Sequence, residues 1–159
     1  MKSLLFFLFF LFLLLVAYVV WPYTTVYQLD RTMQESDREA FSGLVDIRSI
    51  REQIKRKMNK DLESGVGDVS NEFVEWLQNG IQTLGSNAVE HLVDLDWAVL
   101  QLRAHNPDKR RGGFLKQLDY AFFDAPDSLL LRIGDLGDDP VHARLTLENW
   151  SWRVTAIYN

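Results

Sequence analysis

Leu4 to Val20 is a run of seventeen residues in which only Tyr18 carries a polar side-chain atom, and its first twelve are seven leucines and five phenylalanines. At roughly −0.5 kcal/mol each on an insertion scale, those twelve contribute about −6 kcal/mol toward entering a bilayer. As a helix the run rises about 26 Å, and Trp21 with the polar flanks brings it close to the ~30 Å of a hydrocarbon core. The rest of the chain is held wherever this segment goes.

A cleaved secretory signal is the competing reading of such a start, with Lys2 as its basic end. It requires a shorter apolar run, about 7–15 residues, and small side chains before the cut. Here the run is longer, and Ala17 stands alone among Val16, Tyr18, Val19 and Val20. The pattern therefore reads as an uncleaved signal-anchor over residues 1–22, with one exported domain over 23–159. Lys2 precedes the span and the next cation is Arg31, so the amino end is expected in the cytoplasm and the domain in the periplasm of a Gram-negative cell. Trp21, Tyr23 and Tyr27 are expected at the outer headgroup belt, where a ring with a polar edge is favoured; Tyr27 equally fits packing against the domain.

The remaining length suits a single hydrophobic core without staples. With no cysteine, the domain uses no disulfide, thiol nucleophile or thiolate metal site. A formal charge of −5 argues against nucleic acid, whose phosphates need a cationic face.

Helical spacing fills residues 24–106. Val26, Leu29 and Met33 predict that a helix continues out of the anchor, with Pro22 as a kink or first-turn residue. Ser36 and Glu39 read as a capping box for a short helix ending near Val45, and Asp46 as the cap of the next. In that next helix Ile47, Ile50, Ile54, Met58 and Leu62 form an apolar stripe. Arg48, Arg51, Lys55, Arg56, Lys57 and Lys60 crowd its other sides. Arg48, Arg51, Lys55 and Arg56 are thus a candidate contact face for anionic lipid or an acidic partner, set against a plain solvated face balanced by acidic neighbours. After the Gly65 and Gly67 break, Phe73, Leu77, Ile81 and Leu84 predict another helix. Asn87 with Glu90 reads as the cap of a shorter one, and Trp97, Leu100 and Ala104 predict a last one, stopped at Asn106-Pro107. Asp108 to Gly113 reads as an exposed loop.

From about 114 to 158 the period changes to two. Leu118, Tyr120 and Phe122, then Leu129, Leu131 and Ile133, then Val141, Ala143, Leu145 and Leu147, and finally Trp152, Val154 and Ala156 predict the inward faces of four strands in an antiparallel meander. Helices first and a sheet last make the fold class α+β, with an N-terminal transmembrane helix and amphipathic helices packed on a four-stranded sheet.

Trp21-Pro22-Tyr23, Tyr27-Gln28-Leu29, Asp37, Leu44 to Arg51, Tyr120 to Asp127 and Trp152 to Ile157 carry a resemblance. On these stretches the chain resembles an uncharacterised family of bacterial membrane-anchored proteins with a domain of unknown function. The resemblance implies location and architecture and brings no active site. The layout is also similar, by analogy of fold alone, to the cone of nuclear-transport-factor-like proteins, which host enzymes, binders and assembly modules alike.

No phosphate loop, zinc-protease helix motif or nucleophile elbow is present. Asp119, Tyr120, Asp124 and His142 are the titratable residues best placed for acid-base work, yet Asp119 and His142 fall on the polar parity of their strands, and no second group fixes either one in an acid-base pair. His91, Asp94 and Asp96 have a ligand-like mix but read as caps and surface, and His105 stands alone. No catalytic residue, metal or cofactor is therefore assigned. Trp97 and Trp152 fit core positions, whereas Trp150, beside the Asn149 turn, is a candidate partner anchor or a ring folded over the sheet end. The expected function is a membrane-anchored interaction or assembly module, its partners the bilayer and other envelope proteins. The alternative is a small-molecule binder or enzyme with a pocket between helices and sheet.

Overall fold

In the computed structural model, which describes residues 2–64, 79–80, 87–103, 113–135, 137 and 140–158, the apolar run and the amphipathic segment after it form one helix, α1 (Lys2–Glu35). Its 34 residues extend about 51 Å. Pro22 does not end it. The ring has no N–H to give the Tyr18 carbonyl, and Thr24 Oγ1 donates to the Trp21 carbonyl at 2.6 Å beside the gap. From Leu4 to Val20 every side chain except that of Tyr18 is exposed. Thereafter Trp21, Pro22, Thr25, Val26, Leu29 and Met33 return every three or four residues to the side that meets the domain.

α1 closes with Ser36 in the left-handed region (φ 55°) and the Asp37 N–H bonded to the Thr32 carbonyl at 2.9 Å. Ser36 therefore cannot also be the predicted cap, which needs extended backbone. Asp37 caps α2 (Arg38–Leu44) instead, accepting from the Ala40 N–H at 3.0 Å. Asp46 caps α3 (Ile47–Ser64) as expected, taking both the Ser49 N–H and Oγ at 3.0 Å. Ile50 and Ile54 are buried on its inner side; the side chains of Met58 and Leu62 lie outside the described residues.

The short α4 (Ala88–Leu92) forms without the expected side-chain cap from Asn87, and the Glu90 carboxylate reaches Lys55 rather than the helix start. α5 (Leu95–Arg103) is capped by Asp94, which accepts from the Trp97 N–H at 2.8 Å. It buries Trp97, Ala98 and Leu102 and turns the predicted Leu100 to solvent. Both sets have helical spacing, and the Arg103 guanidinium bonded to the Met33 carbonyl of α1 fixes which one faces in. The stretch with Phe73 and Leu77, the glycine break, Trp76, His105 and residues 108–112 lie outside the described residues.

A 3₁₀ turn (Phe114–Lys116) leads into β1 (Leu118–Ala125), β2 (Ser128–Ile133), β3 (Val141–Glu148) and β4 (Ser151–Tyr158), a four-stranded antiparallel meander in chain order. Two register shifts correct the predicted faces. A bulge between Leu118 and Tyr120 puts Ala121 opposite Leu131 and Phe123 opposite Leu129, so these two face the helices while Tyr120 and Phe122 point outward. An extra residue in β4, at Thr155, pairs Ala156 with outward Arg144 and Ile157 with inward Ala143. The inner face of the sheet and the inner sides of α1, α2, α3 and α5 share one core. Leu29, Ile50, Leu102, Leu129, Leu131, Leu145 and Val154 are among its fully enclosed members. The α+β arrangement follows: one layer of helices on one face of one sheet.

Candidate functional site

Three contacts fix how α1 lies on the domain. The Tyr18 hydroxyl donates to the Pro126 carbonyl in the β1–β2 turn at 2.6 Å, and the Tyr23 hydroxyl to the Ala121 carbonyl in mid-strand at 3.2 Å. Further along, Asp30 Oδ1 accepts from the Leu115 N–H at 3.2 Å. As α1 is followed forward its partners run backward along β1, so helix and strand are antiparallel. The sheet end bearing the β1–β2 and β3–β4 turns therefore points back along α1 toward the apolar run.

At that end Tyr18, Phe123 and Trp152 form a ring cluster. The Tyr18 and Phe123 centroids are 6.5 Å apart and those of Phe123 and Trp152 5.9 Å, with Tyr23 edge-on to Phe123 at 6.4 Å. Of the expected interface aromatics, Trp21 is half-buried against the core, Tyr23 is divided between its hydrogen bond and solvent, and Tyr27 is exposed. Tyr18, read from sequence as part of the apolar run, makes a shorter hydrogen bond to the domain than Tyr23 does.

Beyond Trp152 the β3–β4 hairpin turns through Asn149 (φ 49°) and Trp150 (φ 61°). Two consecutive left-handed residues make the twist-matched hairpin turn whose second position usually holds glycine. Here that position carries an indole that is 83% exposed. The expectation of a ring folded over the sheet end does not describe it.

The basic residues of α3 divide. Arg51 reaches α4, with Nε donating to the Val93 carbonyl at 2.8 Å and a terminal nitrogen to the Glu90 carbonyl at 2.7 Å. Lys55 binds the Glu90 carboxylate at 2.6 Å, and that cation holds the carboxyl below its usual range. Among the described residues Arg48 and Arg56 each pair only with Glu52 one turn away, at 3.5 and 3.4 Å, and remain exposed. The bridge from Val45 to Val154, and Lys57 5.8 Å from the Tyr158 ring, show that α3 runs alongside β4 away from the Trp150 end.

The acid-base candidates gather on the outer face of the sheet, each already engaged. Arg132 bonds Asp119 and lies 4.2 Å over the Tyr120 ring, and Arg144 holds Asp124 at 3.0 Å. His142 stacks on Tyr158 at 5.5 Å. Burial, with Arg132 nearby, lowers the His142 pKa, and burial raises that of Tyr158. Asp119 and Asp124 are held by Arg132 and Arg144, so neither carboxylate orients this imidazole for proton transfer. His91, Asp94 and Asp96 are not brought together: Asp94 caps α5, and Asp96 pairs with Arg38 at 3.0 Å. Among the described residues no group of three or more His, Asp or Glu is placed to hold a metal ion.

These features define a class: an α+β domain mounted on a single long helix whose first part is unburied, apolar and long enough to cross a membrane. Within that class the chain belongs to the family described as a protein of unknown function, DUF2939, which matches residues 11–99, more than half of its length. The matched stretch runs from inside the apolar run to α5, and the sheet lies beyond it. No curated protein and no solved structure matches the chain.

Proposed function

We propose that the protein is a single-span membrane protein, with its amino end in the cytoplasm and its domain in the periplasm, acting as a non-enzymatic interaction or assembly module beside a larger envelope complex. The observation that carries this reading is the continuity of α1. The helix whose Leu4 to Val20 half is solvent-exposed and apolar goes on without a break to supply Val26, Leu29 and Met33 to the core. A tether would let the domain sample a wide volume, whereas a shared helix restricts it to one height and tilt and concentrates it on neighbours in the same membrane. Lys2 on one side and Arg31 on the other support the orientation.

The test is crosslinking in the native host, mild-detergent purification and mass spectrometry, with a comparison chain lacking residues 1–16 and exported by a cleavable signal. That truncation keeps Tyr18 and the ring cluster. A stoichiometric membrane protein captured with the full chain and lost with the truncated one is the expected result. Equal recovery of a bare monomer from both would sink the reading and move attention to small-molecule binding.

A further inference from the structure

We infer that Trp150 is a second membrane contact, an indole set into the headgroup region of the same bilayer that α1 crosses, so that the domain rests on the membrane at two points. The inference builds on the spanning reading and adds where the domain sits. Three observations converge on it.

The first is direction. Trp152 touches Tyr18, with ring centroids 6.5 Å apart, and β4 runs from there toward Tyr158 and away from the apolar run. Trp150 lies two residues on the other side of Trp152, beyond the ring cluster and toward the exposed half of α1. Pro126 and Asp127 occupy the same end.

The second is height. Leu4 to Val20 rises only about 26 Å, against a hydrocarbon core of ~30 Å, so the span has no length to spare at its upper end. Val19 and Val20 are 42% and 50% exposed, and raising the domain clear of the membrane would bring them into water. Tyr18 sits within the run, and side chains of a helix lean toward its N-terminus, so the Tyr18 hydroxyl and the Pro126 carbonyl bound to it lie at or below the level of the Tyr18 backbone. The turn end of the sheet is thereby placed at the membrane surface.

The third is the choice of residue. Trp150 holds a backbone conformation that favours glycine, and its ring is 83% exposed with no described partner. Neither the turn nor the core calls for an indole at that position. A bilayer interface does, because it solvates the ring's apolar body and its N–H together.

The test uses the full-length chain in phosphatidylcholine–phosphatidylglycerol nanodiscs. Tryptophan emission is quenched from within by lipids brominated high on the acyl chain, or from water by iodide. Trp150→Gly suits the turn and keeps the fold, so the difference between wild type and variant is the Trp150 signal. That signal is expected to be quenched at least twofold more strongly by brominated lipid than by iodide. The opposite order in a chain that resists carbonate extraction overturns the two-point contact and leaves the span standing. A chain that carbonate extracts overturns both.

Discussion

The Tyr18 hydroxyl, inside the apolar run of α1, donates to the Pro126 carbonyl 108 positions away. This one bond joins the element read as a membrane span to the far turn of the first strand, and with the ring contacts to Phe123 and Trp152 it packs the end of the apolar run against the domain. Tyr18→Phe should lose about 0.5–1.5 kcal/mol, the range for one neutral hydrogen bond. Tyr18→Ala also removes the ring and should lose about 2–4 kcal/mol. Urea unfolding of the detergent-solubilised chain, followed by near-UV circular dichroism, gives both values. Equal stability of Tyr18→Ala and wild type would mean that α1 and the sheet are not coupled there.

Arg51 and Lys55 had the same standing as Arg48 and Arg56 in the sequence, and the fold separates them. The Arg51 guanidinium carries two carbonyls of the α4 segment, so Arg51→Met should destabilise by about 2–3 kcal/mol. Arg51→Lys should recover little of this, since an ammonium cannot span both acceptors. Arg48→Met and Arg56→Met, whose partners are solvated, should stay within about 0.5 kcal/mol. The same unfolding series ranks all four. A large loss at Arg48 would show that its side chain has a partner other than Glu52.

Gly113 has φ 76°, and a Cβ there would lie 2.8 Å from Gln34 Nε2 and 2.9 Å from Asp30 Oδ1. Gly113→Ala should therefore cost about 1–3 kcal/mol through backbone strain and crowding together. Adding Gln34→Ala relieves part of the crowding and none of the φ strain, so the double variant should recover only a fraction. Complete recovery would assign the whole cost to the clash.

How much of this was legible follows the range of each signal. The long apolar helix, the α2–α3 pair with Asp46 between them, and four strands in meander order were readable, because composition, capping and period act over a few residues. The faces of β1 were not. Tyr120-Ala121-Phe122-Phe123 is apolar throughout, so a bulge can flip its parity without placing a polar group inside. Ser36 and Asp37 are both good caps, and only the left-handed closure of α1 decides between them. Arg51 finds its carbonyls 39 and 42 residues further on, where no local pattern reaches. Tyr18 reads in sequence as one residue of the apolar run, and its role as a domain contact depends on how α1 lies against the sheet. Trp150 could be suspected from an Asn-Trp pair standing where Asn-Gly is usual; that it lies at the sheet end nearer the apolar run required the pairing of α1 with β1.

His142 gives the chain a pH signature that is testable without a ligand. Burial against Tyr158, reinforced by Arg132, depresses its pKa below the ordinary value of about 6.5. Between the folded value and about 6.5 the unfolded chain therefore holds more protons than the native one, and stability rises with pH across that window. As pH falls through it, protonation of the unfolded imidazole removes stability until the native group titrates as well, and below that point the contribution is constant. His142→Gln keeps a polar side chain on the outer face and has nothing to titrate. Its unfolding free energy should lose this segment of the pH profile while keeping the steeper acid limb that comes from carboxylates. Urea midpoints at half-unit steps from pH 5 to pH 8 give the difference curve. A difference that is flat across the window, or that falls with rising pH, would mean that His142 is not held neutral in the native state.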